Sequence, residues 1–164
     1  MTETAETLVT QDMIDRQGVW SDERTSPPIA LSDIRKWAIA TYWPETPPGI
    51  YYDAEYAAST RYGGIIAPPD FNPFAWPVER PKSAGPGAAR GPDGRRLTGM
   101  NGGQTDTYGV PMRAGDVIRS RSRLRDWNER EGRLGLTLYV FTETEWRNRN
   151  DELVRMRVST GVRF

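Results

Sequence analysis

The last third of this chain most limits what it can fold into. Three segments there, "VIRSRSRLRDW" from Val117, "GLTLYVFTETEW" from Gly135 and "LVRMRVSTGVRF" from Leu153, are each long enough to cross a sheet. In the first, Arg119, Arg121, Arg123 and Arg125 alternate; in the third, Val154, Met156, Val158, Thr160 and Val162 alternate with polar residues and Gly161. A period of two places like residues on one face of a strand, and the β-branched and aromatic content of the middle segment suits a pleated, half-buried surface. The intervening "NEREGR" and "RNRND" carry hairpin-type residues. The pattern predicts an antiparallel β-meander.

Upstream the periodicity turns helical. Ile34, Trp37, Ala38 and Thr41 follow the i, i+3, i+4, i+7 rule behind Ser32 as a candidate N-cap, with Asp33 near the positive end of the dipole and Pro44, Pro47 and Pro48 ending the helix. "YYDAEYAASTRYGG", from Tyr51, predicts a short helix stopped by Gly63 and Gly64. "APPDFNPFAWPVER" predicts a buried helix with Pro68 and Pro69 in its first turn and Phe71, Phe74, Ala75 and Val78 inward, although Pro73 and Pro77 work against its regularity. "MIDRQGVW" fits a short helix end or an edge strand. Residues 1–11 read as a flexible tail and 81–98 as a long Gly/Pro-rich loop with little to bury. Helices followed by strands make a single α+β domain over residues 1–164, one main helix lying on an antiparallel sheet.

Composition then limits the chemistry. The chain has no His and no Cys, which removes the usual general base near neutral pH, the thiolate nucleophile, disulfides and the commonest metal ligands, so no metal site is expected. Any proton transfer that it performs alone falls to Asp, Glu, Tyr or Arg. Formal net charge is zero, with 22 basic and 22 acidic residues, which argues against bulk attraction to nucleic acid. The acidic N-terminal stretch lacks a signal-peptide core and no 18-residue apolar run occurs, so a soluble, cytoplasmic protein without a membrane partner is expected.

The stretch "AIATYWPETPPGIYYDAEYAASTRYGGIIAPPDF", followed by "MNGGQTDTYGVPMRAGD", resembles the N-terminal hotdog domain of MaoC-like, FAS1-like dehydratases, including the non-catalytic subunits of heteromeric enoyl-CoA hydratases. The resemblance spans residues 12 to 164 and rests on Tyr56, Ala57, Tyr62, Gly63, Gly64, Ala67 and Pro68 together with Pro111, Gly115 and Asp116. It implies a hotdog fold, an antiparallel sheet wrapped around a central helix, with acyl chains on coenzyme A or a carrier protein as substrate. The implied chemistry is reversible hydration of a 2,3 double bond. Coenzyme A enters as part of the substrate, and no separate cofactor is implied. Active members carry G-D-x-N-P-L-H-x-D, whose Asp and His hold the water, while backbone amides at the central helix N-terminus polarise the thioester carbonyl. Aligning Asp53 with the motif's final Asp, with a small insertion allowed, puts Tyr51 where His belongs and Trp43 near where Asp belongs. The dyad is missing, so no residue of this chain is expected to be catalytic.

The resemblance implies that the chain shapes an acyl tunnel through Tyr62, Gly63, Gly64, Ile65, Ala67 and Pro68, with Asn101, Gly102 and Gln104 as further substrate contacts, while a MaoC-like catalytic hotdog subunit completes a dimer or heterotetramer. Each group has a plainer reading. "RYGGIIAPP" can be only a tight connection, and "MNGGQ" only a bulge at a strand edge. Asp116 suits a strand-entry turn, Asp53 and Glu55 suit solvated helix positions, and the alternating arginines suit a solvated sheet surface better than a coenzyme A phosphate site. Arg90, Arg95 and Arg96 are further phosphate candidates. Two other functions remain open: a homodimeric acyl-CoA binding protein without catalysis, and a hotdog thioesterase working through Asp53, Asp70 or Asp116.

Overall fold

The computed structural model describes residues 7–78, 89–133 and 135–164; the expectations for residues 1–6 and for the start of the Gly/Pro-rich loop lie outside the described residues. Two short elements open the chain, helix α1 (Gln11–Arg16) and strand β1 (Arg24–Thr25). Helix α2 (Leu31–Tyr42), a 3-10 turn (Gly49–Tyr51) and helix α3 (Ala54–Ser59) follow. Four long strands complete it: β2 (Gly99–Tyr108), β3 (Arg119–Gly132), β4 (Gly135–Arg147) and β5 (Leu153–Arg163). The meander read from the last third is β3-β4-β5, and the sheet order is β1-β3-β4-β5-β2 with antiparallel pairing throughout.

Residues directly opposed on antiparallel strands share a face, so the register sorts the side chains. Leu138, Val140 and Trp146 of β4 lie on the face that carries the core, and Arg155 of β5 stands opposite Trp146 on that face. Under this face, Ile34 of α2 is wholly buried against Phe71, Met112, Ile118 and Val154. A second cluster joins Leu8, Met13 and Leu97 to Leu138 and Val140. Residues 7–11, read as tail, are therefore attached: Leu8 is buried and its amide donates to Glu129 Oε1 at 2.5 Å. Leu97, read as part of a loop with little to bury, is also buried.

The expected helix over 68–78 does not form. Phe71 N–H donates to Pro68 O and Ala75 N–H to Asn72 O, the contacts of successive turns. Pro73 and Pro77 explain this, because each removes a backbone donor and clashes with the preceding helical turn. The apolar spacing that suggested a helix still drives burial. Phe71 meets Trp37 edge-on at 5.4 Å, Trp76 meets Trp37 at 5.9 Å, and Phe74 meets Trp146 at 5.4 Å. Aromatic rings carried on turns cover the sheet where a central helix was expected, and α2 is the longest helix among the described residues. Its N-cap is Ala30, with no side-chain cap bond, and Ser32 lies inside the first turn with its hydroxyl on Asp33. Helix α3 ends at Ser59 with Thr60 as its C-cap, before the glycine pair.

Candidate functional site

Two contacts tie the segment after α3 to the loop between β2 and β3, and a third ties that loop to β5. Arg113 Nη2 donates to Tyr62 O at 2.6 Å, Ala67 N–H donates to Met112 O at 2.8 Å, and Gly109 N–H donates to Val154 O at 3.0 Å. The last requires glycine, because a Cβ at Gly109 would stand 1.9 Å from Leu153 O. These ties hold open a pocket of about 140 Å³ lined by Tyr62, Ile66, Ala67 and Pro68 on one wall and Tyr108, Pro111, Met112 and Arg155 on the other. Of the sequence-derived residues, Tyr62, Ala67 and Pro68 meet here. Ile65 packs against the main core instead, Gly63 takes a left-handed φ of 63° in the turn, and Gly64 lies against Arg113.

Asn101, Gly102 and Gln104 are elsewhere. They lie in β2 at a register shift opposite Gly161 and Ser159, which makes "MNGGQ" a β-bulge. Asn101 Oδ1 accepts from Gly103 N–H at 2.9 Å, and Gln104 Nε2 donates to Asp106 Oδ2 at 3.3 Å. Asn101 and Gly102 line a separate, wider depression with Tyr139, Val162 and Phe164. Strand rise alone separates Asn101 from Tyr108 by roughly 20 Å. The two groups do not form one site.

Next to the pocket lies the position where the motif would place its His. Tyr51 is buried among Ala38 and Ile66, with Tyr42, Ile50 and Tyr62 packed around it. Desolvation, first, and a hydrogen bond with Tyr42, second, push its pKa up to about 12. It stays a neutral phenol at physiological pH and does not act as a base there. Trp43, at the other motif position, ends α2 and points to solvent, 77% exposed. The acyl-activating helix N-terminus implied by the resemblance is also missing, since the chain turns at 68–71, and the amides of Gly63, Ile66 and Ala67 already donate to Thr60, Ile50 and Met112 carbonyls.

Two of the three carboxylate candidates are in structural use. Asp53 caps α3 by accepting from Tyr56 N–H at 3.0 Å, and Asp116 accepts from Arg113 N–H at 2.7 Å in the turn before β3. Asp70 is exposed. The arginine row on β3 is a network of ion pairs rather than a bare solvated face. Arg121 meets Glu145 at 2.6 Å, Arg123 meets Glu143 at 2.6 Å, and Arg119 meets Asp151 at 2.7 Å. Trp20 lies 4.5 Å from both Arg121 and Arg123, and Glu143 and Glu145 are buried. Of the loop arginines, Arg90 donates to Gly94 O and Arg95 lies 3.9 Å from Asp93. Among the described residues no group of acidic side chains is arranged to hold a metal ion, and no helix is long and apolar enough to cross a membrane.

Sequence reading missed the most unusual member of the pocket. Arg155 is 3% exposed, its guanidinium lies 3.5 Å from the centre of the Trp146 ring, and its Nε has no hydrogen-bond partner among the described residues. Burial, and then neighbouring Arg157, lower its pKa. A register irregularity where β5 leaves Arg147 of β4 allows Val154 and Arg155 both to be buried, which strict alternation forbids.

An antiparallel sheet of this order, with α2 against its covered face, is a hotdog fold of the α+β class. Residues 16–157 match the FAS1-like, dehydratase domain region, and the chain belongs to that family. Solved structures agree in fold. The ChsH1-ChsH2 complex from Mycobacterium tuberculosis is similar with a TM-score of 0.69 at 18% identity, covering 94% of this chain and 90% of that one. The C-terminally truncated HadBC (3R-hydroxyacyl-ACP dehydratase) complex from the same organism gives 0.59 at 19% identity, covering 90% and 97%. A MaoC-like dehydratase from Rhodospirillum rubrum gives 0.58 at 16%, covering 87% and 90%. No curated protein matches the chain.

Proposed function

We propose that this chain is the acyl-thioester-binding subunit of a heteromeric MaoC-like enoyl-CoA hydratase or dehydratase, and that a partner hotdog subunit supplies the Asp and His that move protons. The observation that carries this is Tyr51, a buried phenol with its pKa pushed up to about 12 where the family's His would stand, in a chain without histidine. Two further features support it. The ChsH1-ChsH2 and HadBC structures are each complexes of two named subunits. Among the described residues strand β2 also ends the sheet with one unpaired edge, and an exposed edge of this length calls for a covering strand. The substrate in this reading is an acyl-coenzyme A thioester, one end of whose acyl group lies along Tyr62, Ala67 and Pro68.

A homodimer that binds acyl-CoA without catalysis is the second reading, since the same free edge serves two identical copies. Mass measurement in solution separates them. The chain expressed with a neighbouring MaoC-like subunit is expected to elute as a mixed dimer or tetramer. A stable homodimer that ignores that subunit contradicts the heteromeric reading.

A further inference from the structure

We propose that the pocket between residues 62–69 and 108–112 is a carboxylate-binding subsite, with the Arg155 guanidinium as its anchor and a short apolar acid, or the acid end of a larger ligand, as its occupant. A charged side chain this deeply buried is normally matched by an opposite charge, because removing a guanidinium from water costs several kcal/mol. Arg155 has no such match. No Asp or Glu lies within ion-pair distance of it among the described residues, whereas Asp106, an acidic residue on this face, is held by Arg157 through two bonds of 2.7 and 2.9 Å. Arg157 repels it, while Asp106, already held by Arg157, and then the Tyr108 phenol and Asp70 favour its charge without pairing with it. Stacking on Trp146 supplies part of the compensation and holds the guanidinium plane still.

The walls define the class of occupant. Ile66, Ala67, Pro68, Val110, Pro111 and Met112 are apolar, and the polar side chains converging on the pocket are Arg155 and the two phenols Tyr62 and Tyr108. An apolar wall with one guanidinium suits a planar carboxylate on a small hydrocarbon body, which a guanidinium meets with two parallel bonds. It does not suit a fully hydrated phosphate. At about 140 Å³ the pocket is smaller than the ~300–1,000 Å³ of ordinary small-molecule sites, so it takes one end of a ligand rather than a whole acyl-CoA. The carboxylate has two possible sources, a free or ligand-borne acid and an acidic side chain of a partner subunit. The inference stands independently of the acyl-thioester reading.

The test is a titration of the full-length chain with butyrate, butyramide and inorganic phosphate, following the Arg155 Nε–H resonance and heat of binding. Butyrate is expected to shift that resonance saturably and to bind at least tenfold more tightly than butyramide or phosphate. Arg155→Met, which removes a buried charge without opening a large cavity, is expected to remain folded and to lose butyrate binding at least tenfold; Arg155→Lys, retaining charge without the fork, loses most of it. Repeating the titration on the assembled complex identifies the source. Retained butyrate binding there assigns the subsite to a ligand, and butyrate excluded only in the complex assigns it to a partner carboxylate. Equal affinity for butyramide or phosphate, no binding to the wild-type chain, or unchanged butyrate binding by a folded Arg155→Met variant overturns the proposal.

Discussion

Gly109→Ala is the substitution whose cost the structure defines most closely. Gly109 ends the β2 edge, where its amide donates to Val154 O at 3.0 Å and the amide of Val110 donates to Leu153 O at 2.9 Å. An added methyl would stand 1.9 Å from Leu153 O and 2.8 Å from its carbonyl carbon, both backbone atoms that no rotamer change can move away. The two strands must separate. Overpacking of this kind costs about 1–3 kcal/mol, and weakening two backbone hydrogen bonds adds about 0.5–1.5 kcal/mol each. The sum is roughly 2–6 kcal/mol, which for a chain of this length corresponds to a fall in Tm of roughly 4–24 °C. Urea denaturation followed by tryptophan fluorescence reads it, because Trp146 lies on the same part of the sheet. Gly132→Ala is the control: its nearest atom is the Gly135 carbonyl oxygen at 4.0 Å, so its stability is expected to stay within about 0.5 kcal/mol of the parent. A Gly109→Ala loss below about 1 kcal/mol would refute the close approach of β2 and β5 that forms the pocket wall.

Other expectations follow from the same geometry. Phe71→Ala, at a ring 2% exposed and packed on Trp37, is expected to cost about 3–5 kcal/mol in denaturant unfolding, unlike a mobile loop position, which would lose almost nothing. The Arg157 hydrogen bonds hold the Asp106 pKa below its ordinary value. Its stabilisation is therefore present above the unfolded-state pKa and is lost as pH falls through the folded one. Asp106→Asn should be about 1 kcal/mol less stable than wild type at pH 7 and should converge with it in acid; a constant gap down to low pH contradicts the pairing. Tyr51, neutral in the fold up to about pH 12, stabilises below the unfolded tyrosine pKa of about 10 and loses that contribution as pH rises between the two. Ultraviolet titration of Tyr51→Phe should lose the most alkaline phenol; loss of a phenol titrating near the ordinary value contradicts the buried cluster.

How far the sequence was legible depends on whether local pattern or backbone geometry decided each element. β3 and β5 were readable from the alternation of Arg119–Arg125 and Val154–Val162 in the sequence, and β4 from its β-branched and aromatic content, even though register shifts interrupt the pairing of β3 and β5 with β4. The bulge at Asn101–Gln104 was readable from its glycines. The segment 68–78 was misread because Phe71, Phe74, Ala75 and Val78 keep helical spacing while Pro73 and Pro77 deny it the hydrogen bonds; burial was predicted correctly and conformation was not. Half of the candidate site was legible through Tyr62, Ala67 and Pro68. Asn101, Gly102 and Gln104 were grouped with them although β2 carries them to its other end. Arg155 was invisible because a register irregularity at the start of β5 decides which way it points, and nothing in "LVRMRV" marks it.

The most direct test of the central claim is the rate of enoyl-CoA hydration by the purified chain, alone and assembled with a histidine-bearing hotdog partner. The account predicts no turnover above the uncatalysed rate for the chain alone, and turnover in the assembly that is lost when the partner's acid/base pair is removed. Hydration by the chain alone, abolished by Tyr51→Phe or Asp70→Asn, would contradict it.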